Sequence, residues 1–152
     1  MARRARVLQD LAEIADDPQV AGSVHETEPV MGGELLWHGM LMGPPLTPYE
    51  GGVFKLCVQF PEGYPFKPPR IQLTTKILHC NISPDGLIGL DLLGSSWSPS
   101  RSLSQVLSAV VALLAEPNPD AAVVPEVASL YRLDRRRHDA MARRCTQRFA
   151  AA

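Results

Sequence analysis

Apolar and polar positions alternate with two different periods along this chain. Val7, Leu8, Leu11 and Ile14 recur at helical spacing, with Arg4, Arg6, Asp10 and Glu13 between them, predicting an amphipathic helix over residues 1 to 15. Asp16-Asp17-Pro18 ends it, because proline disfavours a helical backbone in the residue before it. A short edge strand is expected around Val20–Glu26, and Glu34–Met42 reads as a strand turned by Gly43-Pro44-Pro45. After a second turn, Thr47–Gly52, the period is two: Val53, Lys55, Cys57 and Gln59 alternate with Phe54, Leu56, Val58 and Phe60. The proline-rich bend Pro61–Pro69 leads into a short strand, Arg70–Thr74. Strands joined by such short turns predict an antiparallel meander.

Beyond the meander, residues His79–Pro99 have no regular period and are dense in Asn, Asp, Gly, Ser and Pro. Ile82, Leu87, Ile88, Leu90, Leu92 and Leu93 thread through this stretch, so it must pack down on a body. Long loops of this kind in compact domains are usually functional. Helical spacing returns at Ser102–Ala115, where Leu103, Val106, Leu107, Val110, Val111 and Leu114 form a wide, nearly uncharged stripe. This predicts a buried central helix with Ser102 as N-cap. Pro117-Asn118-Pro119-Asp120 stops it, and two more helices are expected over Pro125–Tyr131 and Asp134–Phe149. The fold class is α+β: N-terminal helix, four-stranded antiparallel meander, long active-site loop, central helix and two C-terminal helices, in a single domain over residues 1–152.

With 45% hydrophobic and 20% charged residues among 152, the composition is that of an ordinary globular domain. A net charge of −1 gives no overall pull toward nucleic acid or membrane, and neither is expected as a partner. The charge is uneven, however. Arg3, Arg4 and Arg6 cluster at the start, and Arg132, Arg135, Arg136, Arg137, Arg143, Arg144 and Arg148 near the end. Such runs are ordinarily solvated helix faces; a docking surface for an acidic partner is the alternative. Three cysteines without close spacing argue against a disulfide framework and a zinc site, so no metal is expected. No run is apolar enough to span a bilayer or to serve as a signal peptide, and a reducing compartment, cytoplasmic and/or nuclear, is expected.

The segments TPYEGGVF, FPEGYPFKPP, TTKILHCN, GLDLL, WSP and EPNPD follow one another in a specific order and spacing. Together they resemble the ubiquitin-conjugating enzymes, specifically the members that consist of the catalytic core alone, over roughly Met1–Phe149. In that family a cysteine accepts the C-terminal glycine of ubiquitin from an activating enzyme as a thioester. It passes the acyl group to a lysine, usually with a ring-type ligase holding both partners. The resemblance implies neither a metal nor a small-molecule cofactor, since ATP belongs to the activating enzyme. The family signature is His-Pro-Asn, a cysteine eight positions after the Asn, then Leu-Asp. Here it reads His79-Cys80-Asn81, and the eighth position after Asn81 is Gly89, followed by Leu90-Asp91. Trp97-Ser98-Pro99 keeps the register fixed, so the nucleophile is missing.

Thioester chemistry needs a soft, polarisable thiolate that can also act as a leaving group; glycine supplies neither function. Asn81 matches the family's Asn, which steadies the oxyanion or the loop; without a nucleophile it reads as a loop amide bonding its own backbone. His79 reads as a packed, hydrogen-bonded histidine, and Asp91 as a carboxylate tying up loop amides. Ala121 stands where the resemblance calls for an acidic residue that receives the incoming amine. Cys80, in place of the signature proline, is the only thiol of the loop and a candidate displaced nucleophile, whereas Cys57 and Cys145 read as packing residues. Phe66 and the Trp97-Ser98-Pro99 loop match the surfaces that grip ring-type ligases, unless both aromatics are simply core. Ser100 stands where an Ala is common in the family. Arg4 and Arg6 lie on the helix that meets the activating enzyme and ligase. Three readings stay open: a non-catalytic binding module for a ligase, ubiquitin or a catalytic conjugating enzyme; a conjugating enzyme, acting through Cys80 or with its nucleophile replaced at Gly89; and a degenerate duplicate.

Overall fold

The computed structural model describes residues 2–14, 20–21 and 35–151. Its elements run α1 (Ala2–Ile14), β1 (Val20–Ala21), β2 (Leu35–Met42), β3 (Val53–Phe60), β4 (Arg70–Leu73), α2 (Leu103–Ala115), α3 (Pro125–Leu133) and α4 (Arg135–Phe149). The strands form one antiparallel sheet in the order β1-β2-β3-β4, the meander the turn residues predict. Register is fixed by pairs such as Met42↔Val53, Leu35↔Phe60 and Leu56↔Leu73. Beyond Val20–Ala21, the expected edge strand to Glu26 lies outside the described residues.

The period-two pattern of β3 decides which face is covered. Phe54, Leu56, Val58 and Phe60 are buried, while the alternate residues are exposed or half-buried. Trp37 and Leu41 of β2, Ile71 and Leu73 of β4, and the whole α2 stripe join them in one core. α2 begins as predicted, with a reciprocal capping box: Ser102 Oγ accepts from Gln105 N (3.2 Å), and Ser102 N donates to Gln105 Oε1 (3.0 Å). α3 runs two residues past its expected end, to Leu133, and Asp134 caps α4 rather than opening it, accepting from Arg137 N at 3.1 Å. The far end of α4 is pinned to the sheet where Val53 N donates to Ala150 O (2.8 Å).

α1 departs from its expected division of faces. Val7, Leu11 and Ile14 are buried, but Leu8 is exposed, since it lies about 100° around the helix from Val7. Asp10 is buried instead, at 1% exposure. Its carboxylate is compensated inside the domain by Arg6 Nε at 3.2 Å and by the hydroxyl of Tyr64.

Candidate active-site loop and partner loops

The segment after β4 is not a free loop. It folds back on itself, with Ile82 bridging Ile88 and Leu87 bridging Gln72 of β4. Gly86 makes this possible: it has φ +87°, and a Cβ there would lie 1.9 Å from Leu73 O. Leu73 N donates to Gly86 O at 2.9 Å, so only glycine allows the loop to lie this close to the sheet.

His79 is fixed at both ring nitrogens. Nε2 donates to Leu113 O of α2 (2.8 Å), and Nδ1 accepts from Asn81 N (3.0 Å). The buried Tyr49 of the TPYEGG turn lies against the ring at 5.7 Å and donates its hydroxyl to Leu78 O (2.6 Å). Burial pushes the His79 pKa down to about 4, against the opposing pull of the Leu113 carbonyl. The ring is therefore neutral near pH 7, with no nitrogen free to take a proton: the packed histidine of the sequence reading.

Asn81 is fully buried but does more than bond its own loop. Its Nδ2 donates to Asn118 O (2.8 Å) and Ala121 O (3.2 Å), and its Oδ1 accepts from Asn118 N (2.8 Å). One amide thus clamps the 118–121 segment across the site, a role the sequence alone had assigned to local bonding. Cys80 is buried to 1% exposure and donates its thiol to Asn81 Oδ1 (3.3 Å). Burial raises its pKa, the wrong direction for a nucleophile. In the folded chain this burial and the raised pKa both count against Cys80 as a displaced nucleophile. Its carbonyl instead accepts from Val123 N (2.8 Å) and Val124 N (3.0 Å).

Gly89 is half-buried and donates its N–H to Asn81 O at 2.8 Å. A Cβ placed on it would meet Val123 Cγ1 at 2.8 Å and Asn81 O at 3.4 Å. Val123, which no motif of the chain singles out, thus covers the position where a side chain would emerge. Only the fold brings it across from the 118–124 segment. Asp91 also differs from expectation. It is its carbonyl, not its carboxylate, that ties up loop amides, accepting from Gly94 N and Ser96 N at 2.9 Å each. The carboxylate is exposed and makes no hydrogen bond among the described residues. Ala121 is exposed and offers only a methyl group, while the neighbouring Asp120 is paired with Arg132.

The two partner loops are joined. Trp97 is half-buried against the core, lies tilted to Tyr64 with ring centres 6.0 Å apart and donates Nε1 to Pro65 O (2.9 Å), so it ties the WSP loop to the Tyr64–Phe66 bend. Phe66 is 79% exposed at the tip of that bend. Ser98 Oγ meets Ser100 Oγ at 2.9 Å, and Pro99 is exposed. Arg6, expected to face a partner, is directed inward. Besides Asp10 it donates Nη1 to Pro99 O (2.7 Å) and Nη2 to Arg101 O (2.6 Å), holding the WSP loop against α1. Arg4 lies in α1, with its side chain outside the described residues. Among the described residues no cluster of His, Cys, Asp or Glu could hold a metal ion, and no helix is long and apolar enough to cross a membrane.

The arrangement of sheet, folded-back loop and clamped 118–121 segment has known counterparts. The family model of ubiquitin-conjugating enzymes matches residues 6–146. A solved structure assigned as a ubiquitin-conjugating enzyme, from Plasmodium yoelii, superimposes with a TM-score of 0.88 at 34% identity, covering 100% of this chain and 97% of that one. With the family's fold, register and active-site loop all present, the chain belongs to the ubiquitin-conjugating enzymes.

Proposed function

We propose that this chain works in the ubiquitin pathway as a non-catalytic member of its family. On this reading it binds a ring-type ligase, ubiquitin, the activating enzyme or a catalytic conjugating enzyme, in the cytoplasm and/or nucleus, without carrying ubiquitin itself. The observation that carries the reading is Gly89, with its backbone hydrogen-bonded in place and no sulfur at the position the register assigns to the nucleophile. Ala121 supports it, because a methyl group cannot orient or deprotonate a lysine. The exposed Phe66, on a bend rigidified by Pro65, Pro68 and Pro69, supports retained docking.

A charging assay tests the proposal. The purified chain is incubated with ubiquitin, activating enzyme and ATP, and its intact mass is measured under non-reducing conditions. No adduct is expected, and a ring-domain titration should show binding that Phe66→Ala weakens. A thiol-labile ubiquitin adduct, lost on Cys80→Ala, would overturn the reading and make the chain an enzyme with a displaced nucleophile.

A further inference from the structure

The net charge of −1 hides a segregated molecule. Residues 132–148 hold seven arginines against two aspartates, a net of +5, so the rest of the chain sums to −6. Arg136, Arg137, Arg143, Arg144 and Arg148 are all exposed on α4. Among the described residues no carboxylate lies within ion-pair distance of any of them; Asp139 is engaged with His138, and Asp120 with Arg132. Placing Arg135, Arg136 and Arg137 in the first turn also sets positive charge at the positive end of the helix dipole, where it is unfavourable. The Asp134 cap offsets that end of the dipole in part, but among the described residues no carboxylate pairs with the exposed arginines further along α4.

A second, independent feature adjoins the same helix. Leu46, at the tip of the turn between β2 and β3, is 96% exposed and has φ +61°, a left-handed backbone that disfavours a leucine. The turn is rigid: Pro44, Pro45 and Pro48 flank it, and Thr47 Oγ1 donates to Pro44 O at 2.7 Å. Between this turn and α4 lies an open cleft of about 390 Å³, lined by Leu46, Thr47, Pro48 and Glu50 on one side and Arg143, Thr146 and Gln147 on the other. Glu50 is the carboxylate of the cleft, and its Oε2 accepts from Leu46 N at 3.4 Å. Arg136 lies two helical turns before Arg143 and extends the positive stripe along the same side of α4.

We infer that the Leu46 turn and the Arg136–Arg143 stripe of α4 form a docking site for an acidic protein segment carrying an apolar residue. The arginines supply charge-assisted hydrogen bonds to carboxylates. Leu46, held out in a strained conformation, supplies the apolar contact that a purely electrostatic surface lacks. That apolar anchor, beside a cleft rather than a flat arginine face, favours a peptide over a phosphodiester backbone. The site does not involve Phe66 or the WSP loop, and it stands whether or not the chain can be charged with ubiquitin.

Selection of a displayed library of random twelve-residue peptides on the full chain tests the inference. The expected consensus is Asp/Glu-rich around an apolar residue. Arg136→Glu/Arg143→Glu should weaken a consensus peptide at least tenfold, and its affinity should fall with salt. Leu46→Asn should also weaken it while leaving Tm unchanged or raised, because Asn tolerates the left-handed backbone. A residue with only a structural role would not show that opposition. The inference is overturned if no peptide is enriched, if the consensus lacks acids, or if consensus peptides bind both variants as tightly as the parent. It is equally overturned if a single-stranded oligonucleotide binds, is lost in the arginine variant and is unaffected by Leu46→Asn, which would assign the face to phosphate.

Discussion

Restoring sulfur at Gly89 isolates the nucleophile from the rest of the site. Gly89 has no positive φ, so its backbone accepts an L side chain. In Gly89→Cys the new Cβ would sit 2.8 Å from Val123 Cγ1, where carbon pairs prefer about 3.5–4.0 Å. Overpacking usually costs about 1–3 kcal/mol. Val123 is 46% exposed and can turn outward, which places this case near 1 kcal/mol. Removing a glycine from the unfolded chain returns about 0.4–1 kcal/mol. The net change is therefore between zero and about 0.6 kcal/mol of destabilisation, or at most about 2 °C in Tm for a domain of this size. The folded variant, mixed with ubiquitin, activating enzyme and ATP, should form a thioester visible by non-reducing intact mass and cleaved by excess thiol. Charging should be slow, because a nucleophile displaced by about 1 Å can lose ~100-fold in rate. Adding Val123→Ala removes the close contact and should speed charging. If both variants fold and neither is charged, the argument that only the nucleophile is missing is refuted.

His79 predicts a pH dependence. Its folded pKa of about 4 lies below the ordinary 6.5, so between those values the unfolded chain binds a proton that the folded chain does not. The stabilisation is present above pH 6.5 and lost as pH falls toward 4, amounting to about 2 kcal/mol between pH 7.5 and pH 5. Urea denaturation should show this slope in the parent and a flatter one in His79→Gln. Asn81→Ala leaves the amide and carbonyl of Asn118 and the carbonyl of Ala121 without their partner, and should cost about 2–3 kcal/mol, with faster hydrogen exchange at residues 118–121. Arg6→Ala strips the buried Asp10 of its cation and frees the WSP loop; with the Tyr64 hydroxyl still in place and Arg6 partly exposed, about 2 kcal/mol should be lost by denaturant titration. Phe66→Ala should leave stability within about 0.5 kcal/mol and weaken ring-domain binding at least tenfold by calorimetry.

The fold was largely legible in the chain, for reasons that are local. The alternation across Val53–Phe60 dictates which face of β3 is covered, and the unbroken stripe from Leu103 to Leu114 leaves α2 only a buried position. Ser102 and the prolines around residues 117–119 mark where that helix starts and stops. The collinear motifs fix the register that leaves Gly89 without sulfur, since that depends only on counting positions. What each polar group bonds to was not legible, because hydrogen-bond partners are set by residues distant in sequence. Asn81 reaches 37 and 40 residues ahead to clamp Asn118 and Ala121, and Arg6 reaches across 93 residues to the carbonyl of Pro99. Asp10 looked like a solvated helix charge until Tyr64 and Arg6 closed over it. Cys80 reads as an available thiol in the chain, but the fold buries it, with its thiol on Asn81 Oδ1 and its carbonyl on Val123 and Val124. The clustering of arginines near the end of the chain was legible, but not that α4 leaves Arg136, Arg137, Arg143, Arg144 and Arg148 exposed and without a carboxylate partner among the described residues. Sequence fixes periodicity, punctuation and the identity of each side chain; burial and pairing arise only when packing brings distant segments within a few ångströms of one another.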